Sequence, residues 1–322
     1  MTTCKPRRWA LARPAAVARR DVLAGLAGGT LLALPRWAGA QADAQADAPV
    51  IEPLSIGRSA IELQFAPGFE PRLQADARAW VLRSGAAVQA YFGRFPVEQV
   101  EILLTPVEGG GVRGGVTYGE PSLLIRIRLG RETTREQFLD DWIMVHEMIH
   151  LAVPRVPRSQ HWLHEGIATY VESVARGRAG LVAPATVWKE WATAMPKGQP
   201  QPGDAGLDHT PTWGRTYWGG AMFCLLADVE LLKRSERRAG LQQALQGVLA
   251  AGGNYGVAWP VDRILATGDK AVGQTVLTEL YTRMKDAPAP ADLDRLWQEL
   301  GVNGGVLNDE APLAAVRRAI LA

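Results

Sequence analysis

Cysteine is nearly absent: the 322 residues hold two. Cys4 lies in a basic N-terminal stretch, which leaves Cys224 alone in the remainder. An internal disulfide is therefore excluded there. Cys224 sits inside AMFCLLADVELL, an apolar helical pattern that predicts a buried thiol and not a nucleophile. A long hydrophobic run is missing too. The best candidate, Val22 to Leu34, is diluted by Gly25, Gly28 and Gly29, whereas a spanning helix needs about 20 strongly apolar residues. An excess of charge of one sign is also lacking. The formal net charge is +2, yet residues 1–40 hold Lys5, Arg7, Arg8, Arg13, Arg19, Arg20 and Arg36 against Asp21 alone. The rest carries 28 basic and 32 acidic residues, net −4. That excludes a broad electrostatic pull toward nucleic acid or anionic lipid. No internal repeat stands out.

What is present is ordinary globular material, 47% hydrophobic and 21% charged, with ample length for a core. The N-terminus is different. Arg19-Arg20-Asp21-Val22-Leu23 opens the short apolar run, Arg36 follows it, and Ala38-Gly39-Ala40 makes an A-x-A-like site. This combination predicts a twin-arginine-type export signal over 1–40, and hence an exported, periplasmic protein that meets the membrane only through that signal. Cleavage after Ala40 or Ala42 and retention as an anchor are alternatives. QADAQADAP, residues 41–49, predicts a flexible leader.

Beyond it, Ile61, Leu63 and Phe65 alternate in a strand over 60–66, and a helix is predicted from Pro71 to Phe92. Val100, Ile102 and Leu104 mark a second strand. Val116-Thr117-Tyr118 and Leu123 to Arg128 flank Gly119-Glu120-Pro121-Ser122 as a hairpin. Gly109 to Gly114 fits G-x-G-x-x-G, but it leads into a strand, so a hairpin turn is expected instead of a dinucleotide site. From there helices dominate. Thr133 and Glu136 suggest a capping box for a helix reaching Val153, ended by Pro154. Others are predicted over 160–176, 216–236, 240–251, 260–267, 272–285, 291–300 and 311–321, with a Pro- and Gly-rich loop over 195–214. The fold class is α+β: a small mixed sheet with a helix, then a mostly helical half.

His146-Glu147-Met148-Ile149-His150 matches H-E-x-x-H. Positions i and i+4 share a helix face, so both imidazoles can reach one ion. Glu147 lies about 100° round the helix, beside the pair, where it can touch a water on the metal without ligating it. Two partly exposed helix histidines are the competing reading. A hydrolytic zinc takes three protein ligands and keeps one position open. Glu165, on the next predicted helix, can complete the set, because Pro154-Arg155-Val156-Pro157 lets the chain reverse and Gly166 permits close helix approach. Its competing reading is a helix N-terminal carboxylate favoured by the dipole.

Together, HEMIH and WLHEGIATYVE resemble the gluzincin zinc metallopeptidases, specifically the peptidase-MA-like group. Their second motif is similar to W-L-x-E-G-x-A-x-Y, and Trp162, Leu163, Glu165, Gly166, Ala168 and Tyr170 match. The resemblance implies one catalytic zinc ion, with His146, His150 and Glu165 as ligands and Glu147 as general base. The resemblance covers roughly residues 98–236; the expected organisation is a zincin-like (thermolysin-like) catalytic domain over 50–236, followed by a C-terminal helical region over 237–322. TYWGGAMF, residues 216–223, resembles the tyrosine-plus-glycine helix start of aminopeptidase N-like and glycyl-aminopeptidase-like enzymes. That implies an oxyanion-stabilising role for Tyr217, with a core aromatic as the competing reading. The gap between the zinc motifs is shorter than in aminopeptidase N-like members. A second departure concerns the strand that carries an amine-gripping glutamate in those enzymes. Here Gly114 to Gly119 has no acid in that slot. Exopeptidase activity therefore does not carry over, though Gly115, Val116, Thr117 and Tyr118 can still form a substrate-binding strand.

Other histidines and acids rank lower. His164 is expected to point away from the ligand face. His161 and His209 are cleft-lining or surface residues. Glu172 either accepts a hydrogen bond from a ligand imidazole or is a solvated helix carboxylate. The expected activity is exported, zinc-dependent hydrolysis of a peptide or protein substrate. A non-peptidic amide hydrolase on the same site and a catalytically silent zinc-containing envelope binding protein are the alternatives.

Overall fold

The computed structural model describes residues 49–322. The export signal expected over 1–40, and all of the expected leader except Pro49, lie outside the described residues. Five strands open the described chain: β1 (Val50–Ile56), β2 (Ser59–Phe65), β3 (Gln99–Val107), β4 (Val112–Tyr118) and β5 (Leu124–Gly130). Helix α1 (Pro71–Phe92) lies between β2 and β3 in sequence. The strands make one sheet in the order β1-β2-β3-β5-β4. Its outer pairs, β1/β2 and β4/β5, are antiparallel, and the inner pairs, β2/β3 and β3/β5, are parallel. Alternation turns Ile61, Leu63, Phe65, Val100, Ile102, Leu104, Ile125, Ile127 and Leu129 inward, where all are buried. Helix α1 presents Leu73, Ala77, Trp80, Val81, Val88 and Phe92 at helical spacing to the same core.

Two features of the sheet depart from the sequence expectation. Strand β1 went unpredicted because Pro53 interrupts its pattern, and an edge strand tolerates that missing N–H. The glycine-rich segment after β3 is not a hairpin turn, since β5 lies between β3 and β4. The chain instead crosses the end of β5, where Gly130 N donates to Gly111 O and Glu132 N to Gly109 O.

The helical part comprises α2 (Arg135–Asp140), α3 (Ile143–His150), α4 (His161–Arg178), α5 (Pro184–Ala194), α6 (Gly220–Arg234), α7 (Leu241–Ala250), α8 (Val261–Val272), α9 (Val276–Met284), α10 (Leu293–Leu300) and α11 (Ala314–Ile320). A two-stranded hairpin, β6 (Val302–Asn303) and β7 (Val306–Leu307), precedes α11. Helix α5 also went unpredicted; its signal is Pro184 at the start and the buried Val187, Trp188 and Trp191.

The single helix expected from Thr133 to Val153 is two. Its capping box sits one residue later, with Thr134 Oγ1 accepting from Gln137 N and Gln137 Oε1 accepting from Thr134 N. The break falls at Asp141, which is extended. Asp141 Oδ2 accepts from Met144 N at 3.1 Å and from Trp80 Nε1 at 3.0 Å. One carboxylate thus caps the start of α3 and ties it to α1. Among the described residues, no helix is long and apolar enough to cross a membrane.

Candidate metal centre

The HEMIH segment forms α3, beside edge strand β4. Leu151 to Val153 turn the chain, and α4 returns alongside α3. Helix α4 then crosses α6 at a glycine pair: a Cβ on Gly166 would stand 2.3 Å from the Gly220 backbone. That contact brings the segment before α6 against the start of α4. The segment is a π-helical turn, Gly214–Gly219, and it carries Tyr217. Turns of this kind recur at functional sites because the extra residue re-aims side chains.

Three sequence-predicted residues converge. His146, His150 and Glu165 are all buried, and one ligand atom from each lies within 4.8 Å of the others. Glu165 Oε2 is 3.2 Å from His146 Nε2 and 3.7 Å from His150 Nε2. His161 approaches the other oxygen, with Nε2 2.9 Å from Glu165 Oε1, while remaining half exposed. Burial alone would raise the Glu165 pKa, but His146, His150 and His161 outweigh it and hold the carboxylate far below its usual range. Burial likewise opposes charge on His146, yet the hydrogen bond and charge of Glu165 raise its pKa overall. His150 goes the other way, driven well down by burial. Two imidazoles and one carboxylate, buried and mutually close, are a donor set that fits zinc.

Glu147 stands beside this cluster. Thr117 Oγ1 lies 2.7 Å from Glu147 Oε2 and 2.9 Å from the Glu147 carbonyl, sharing one proton between them. A Cβ on Gly115 would lie 2.5 Å from Glu147 Cγ, so β4 can pass over the carboxylate only with glycine there. Burial raises the Glu147 pKa, with His146 and Thr117 pulling it partly back. Tyr217 stacks on His146 with ring centroids 6.4 Å apart. Burial, followed by the Glu165 and Glu147 charges, raises its pKa and keeps the hydroxyl protonated as a donor. On β4, Val116 and Tyr118 are exposed while Thr117 faces inward.

His164 has a place that the helix geometry alone did not give. It does turn from Glu165, but α3 packs on that side, so its ring meets the back of His150. His164 Nε2 is 2.7 Å from the Pro154 carbonyl. A carbonyl only accepts, so the proton is on Nε2 and Nδ1 is an acceptor. His150 Nδ1, 3.2 Å away, is then the donor. This leaves the lone pair of His150 on Nε2, toward Glu165. Burial lowers the His164 pKa to about 4, which keeps the ring neutral. Tyr255 covers the same side, 5.1 Å from the His164 ring. No sequence pattern pointed to it.

Glu172 is buried, so it is not a solvated carboxylate, and neither imidazole hydrogen-bonds to it. Its oxygens accept from Ser173 Oγ at 2.8 Å and Arg176 Nη1 at 3.2 Å. His146 Nδ1 is buried without a hydrogen-bond partner. His209 lies at the surface, paired with Asp286. Cys224 is buried and free, as expected, with burial raising its pKa.

This is an α+β fold with a His-His-Glu cluster on two antiparallel helices beneath an edge strand. No protein-family model matches the sequence, and no curated protein matches it. Solved structures do match. An aminopeptidase N family protein from Idiomarina loihiensis superposes with a TM-score of 0.61 at 14% identity, covering 79% of this chain and 49% of that one. A variant M1 zinc metallopeptidase from Deinococcus radiodurans gives 0.50 at 14% identity, covering 76% and 53%. A two-domain M1 zinc metallopeptidase variant bound to L-arginine gives 0.50 at 16% identity, covering 76% and 54%. The chain spans about half the length of these structures, and over that part its fold is similar to that of these M1-type zinc metallopeptidases.

Proposed function

We propose that this chain is an exported zinc-dependent peptidase acting on a peptide or protein substrate in the periplasm. The observation that carries this reading is the buried His146, His150 and Glu165 cluster with the Glu147 carboxylate at its side. A zinc ion held there supplies Lewis-acid polarisation of a carbonyl and acidifies a water molecule. Strand β4 is the edge of the sheet, so an extended peptide can add to it through its main chain. Glu147 takes a proton from the attacking water as its oxygen bonds to the scissile carbonyl carbon. The same carboxyl then delivers that proton to the amine as the C–N bond breaks. Tyr217 donates to the oxygen on which negative charge develops. No acid lies between Gly114 and Gly119 to hold a free amine, so a requirement for a free N-terminal residue does not carry over.

The test is metal content together with turnover of a mixed peptide library containing N-acetylated members. About one zinc per chain is expected, lost in His146→Ala and Glu165→Ala, with acetylated peptides cleaved as readily as free ones. Zinc retained in full by both variants removes the ligand assignment. A zinc-loaded protein that cleaves no peptide leaves the non-peptidic amide hydrolase or the silent binding protein. Export is tested by replacing Arg19 and Arg20 with lysine: precursor should stay in the cytoplasm, and unimpaired export removes the twin-arginine reading.

A further inference from the structure

Tyr255 takes no part in the chemistry proposed above, and it lies beyond residues 98–236, the stretch whose motifs resemble known peptidases. It reaches the site from the loop between α7 and α8. Main-chain bonds pin that loop to the turn after α3. Tyr255 N donates to Leu151 O at 3.1 Å, Arg155 N to Val257 O at 2.8 Å and Trp259 N to Arg155 O at 3.0 Å. These bonds fix where the half-buried Tyr255 ring goes. It lies 6.4 Å from the His150 ring and 5.1 Å from that of His164, whereas Tyr217 stacks on the other ligand imidazole, His146. It also passes close to the end of β4: a Cβ on Gly119 would stand 3.2 Å from Tyr255 Cδ1.

The Tyr255 hydroxyl is weakly held. Among the described residues its one hydrogen-bond partner is the Thr117 carbonyl, which accepts from it at 3.4 Å. Bonds between hydroxyl and carbonyl ordinarily span about 2.5–3.0 Å, so little is lost when this one is exchanged. Burial, ahead of the Glu165 charge, raises the Tyr255 pKa and keeps the group a protonated donor. Thr117 belongs to the edge strand, and its own side chain holds Glu147. A peptide that adds to an edge strand brings its N–H groups to the carbonyls of that edge. An N–H arriving at the Thr117 carbonyl displaces the phenol, and the nearest new acceptors are the carbonyls of the peptide itself. Resting on the peptidase reading above, we propose that Tyr255 is a substrate-binding residue: its hydroxyl leaves the Thr117 carbonyl and donates to a main-chain carbonyl of the bound peptide on the His150 side of the site. The two tyrosines then divide the work. Tyr217 acts on charge that develops during the reaction, and Tyr255 holds an amide that stays neutral throughout.

The experiment uses the zinc-loaded protein and two chelators, acetohydroxamate and an acetylated tripeptide hydroxamate, of which only the second has an extended main chain. Affinities are read by calorimetry. In the parent the peptidyl compound should bind at least about tenfold tighter, a step that one or two net hydrogen bonds yield. Tyr255→Phe keeps the ring against His150 and His164 and removes only the hydroxyl. It should bind acetohydroxamate within about twofold of the parent, as an intact metal site requires, and the peptidyl compound about tenfold more weakly. In turnover the same variant should raise KM by about tenfold and leave kcat within about threefold, since the bond is made equally in ground and transition states. A Tyr255→Phe protein that binds the peptidyl compound as the parent does overturns the proposal. Tighter binding overturns it too, because the hydroxyl would then be guarding the edge. So does a fall in kcat at unchanged KM, or an equal weakening of both chelators, which marks a structural role. Binding needs no hydrolysis, so the two readings fail separately. A peptide advantage that depends on Tyr255, in a protein that cleaves no peptide, keeps this assignment and removes the peptidase.

Discussion

The two imidazoles of the HEMIH helix have opposite surroundings. Behind His150 everything is packed and paired: His164 accepts its Nδ1 proton, Pro154 holds His164, and Tyr255 covers both rings. His146 is as buried as His150, but its packing is aromatic and leads out to solvent. Its Nδ1 has no partner, Tyr217 and Trp142 lie against it, and Trp142 and Trp213 face solvent. One side of the site pins its imidazole in one tautomer; the other leaves its imidazole Nδ1 unpaired and ends in two exposed indoles. A hydrolytic metal site needs outer hydrogen bonds that orient the ligands and one coordination position that stays accessible.

The largest expected effect falls on neither side. Glu147→Gln keeps the size of the side chain but cannot take a proton, so hydrolysis should fall by about 10²–10⁴-fold with zinc retained. Activity within a factor of a few of the parent would remove Glu147 from the chemistry. On the His146 side, Tyr217→Phe should lower kcat by about 10²-fold with little change in KM or zinc affinity, because its hydroxyl acts on charge that develops in the transition state. Normal kcat would return Tyr217 to the core.

The comparison itself is tested by zinc affinity, measured against a competing chelator. His164→Phe removes the acceptor behind His150 and should weaken zinc by about 10–100-fold. His164→Asn, which restores an acceptor, should recover part of the loss, whereas Trp213→Ala on the His146 side should stay within about twofold. If His164→Phe binds zinc like the parent, or Trp213→Ala weakens it as much, the two sides do not differ as described.

The smallest effect concerns Glu172, whose pKa burial raises to about 7, against the pull of Arg176 and Ser173. The folded state therefore binds this proton more tightly than the unfolded chain does. Stability from this group is fully present below the ordinary carboxylate pKa of 4.5 and falls as pH rises toward 7. Glu172→Gln removes that decline. Relative to the parent, its Tm should gain several degrees more at pH 8 than at pH 5. An equal difference at both pH values would show that the carboxyl does not titrate in this window.

Local pattern made much of this legible. Strands β2, β3 and β5 announce themselves by alternation, and α1 by its helical stripe, because each needs only short-range spacing to bury one face. Where a distant residue intervened, the reading failed. Asp141 ends α2 because Trp80, 61 residues earlier, holds its carboxylate. Strand β4 lies beyond β5 because parallel pairing of β3 with β5 occupies the nearer place.

By itself the sequence determined that His146 and His150 share a face with Glu147 beside them, since a four-residue spacing on a helix permits no other arrangement. With the WLHEG motif it also named Glu165. Only the tertiary structure decided what touches these residues from behind and beside. Thr117 reaches Glu147 across 30 residues, His164 backs His150 because α4 packs antiparallel to α3, and Trp142 and Trp213 fall into one row through the Gly166–Gly220 crossing. Such contacts depend on how whole elements are oriented by the core, and no local spacing encodes that orientation.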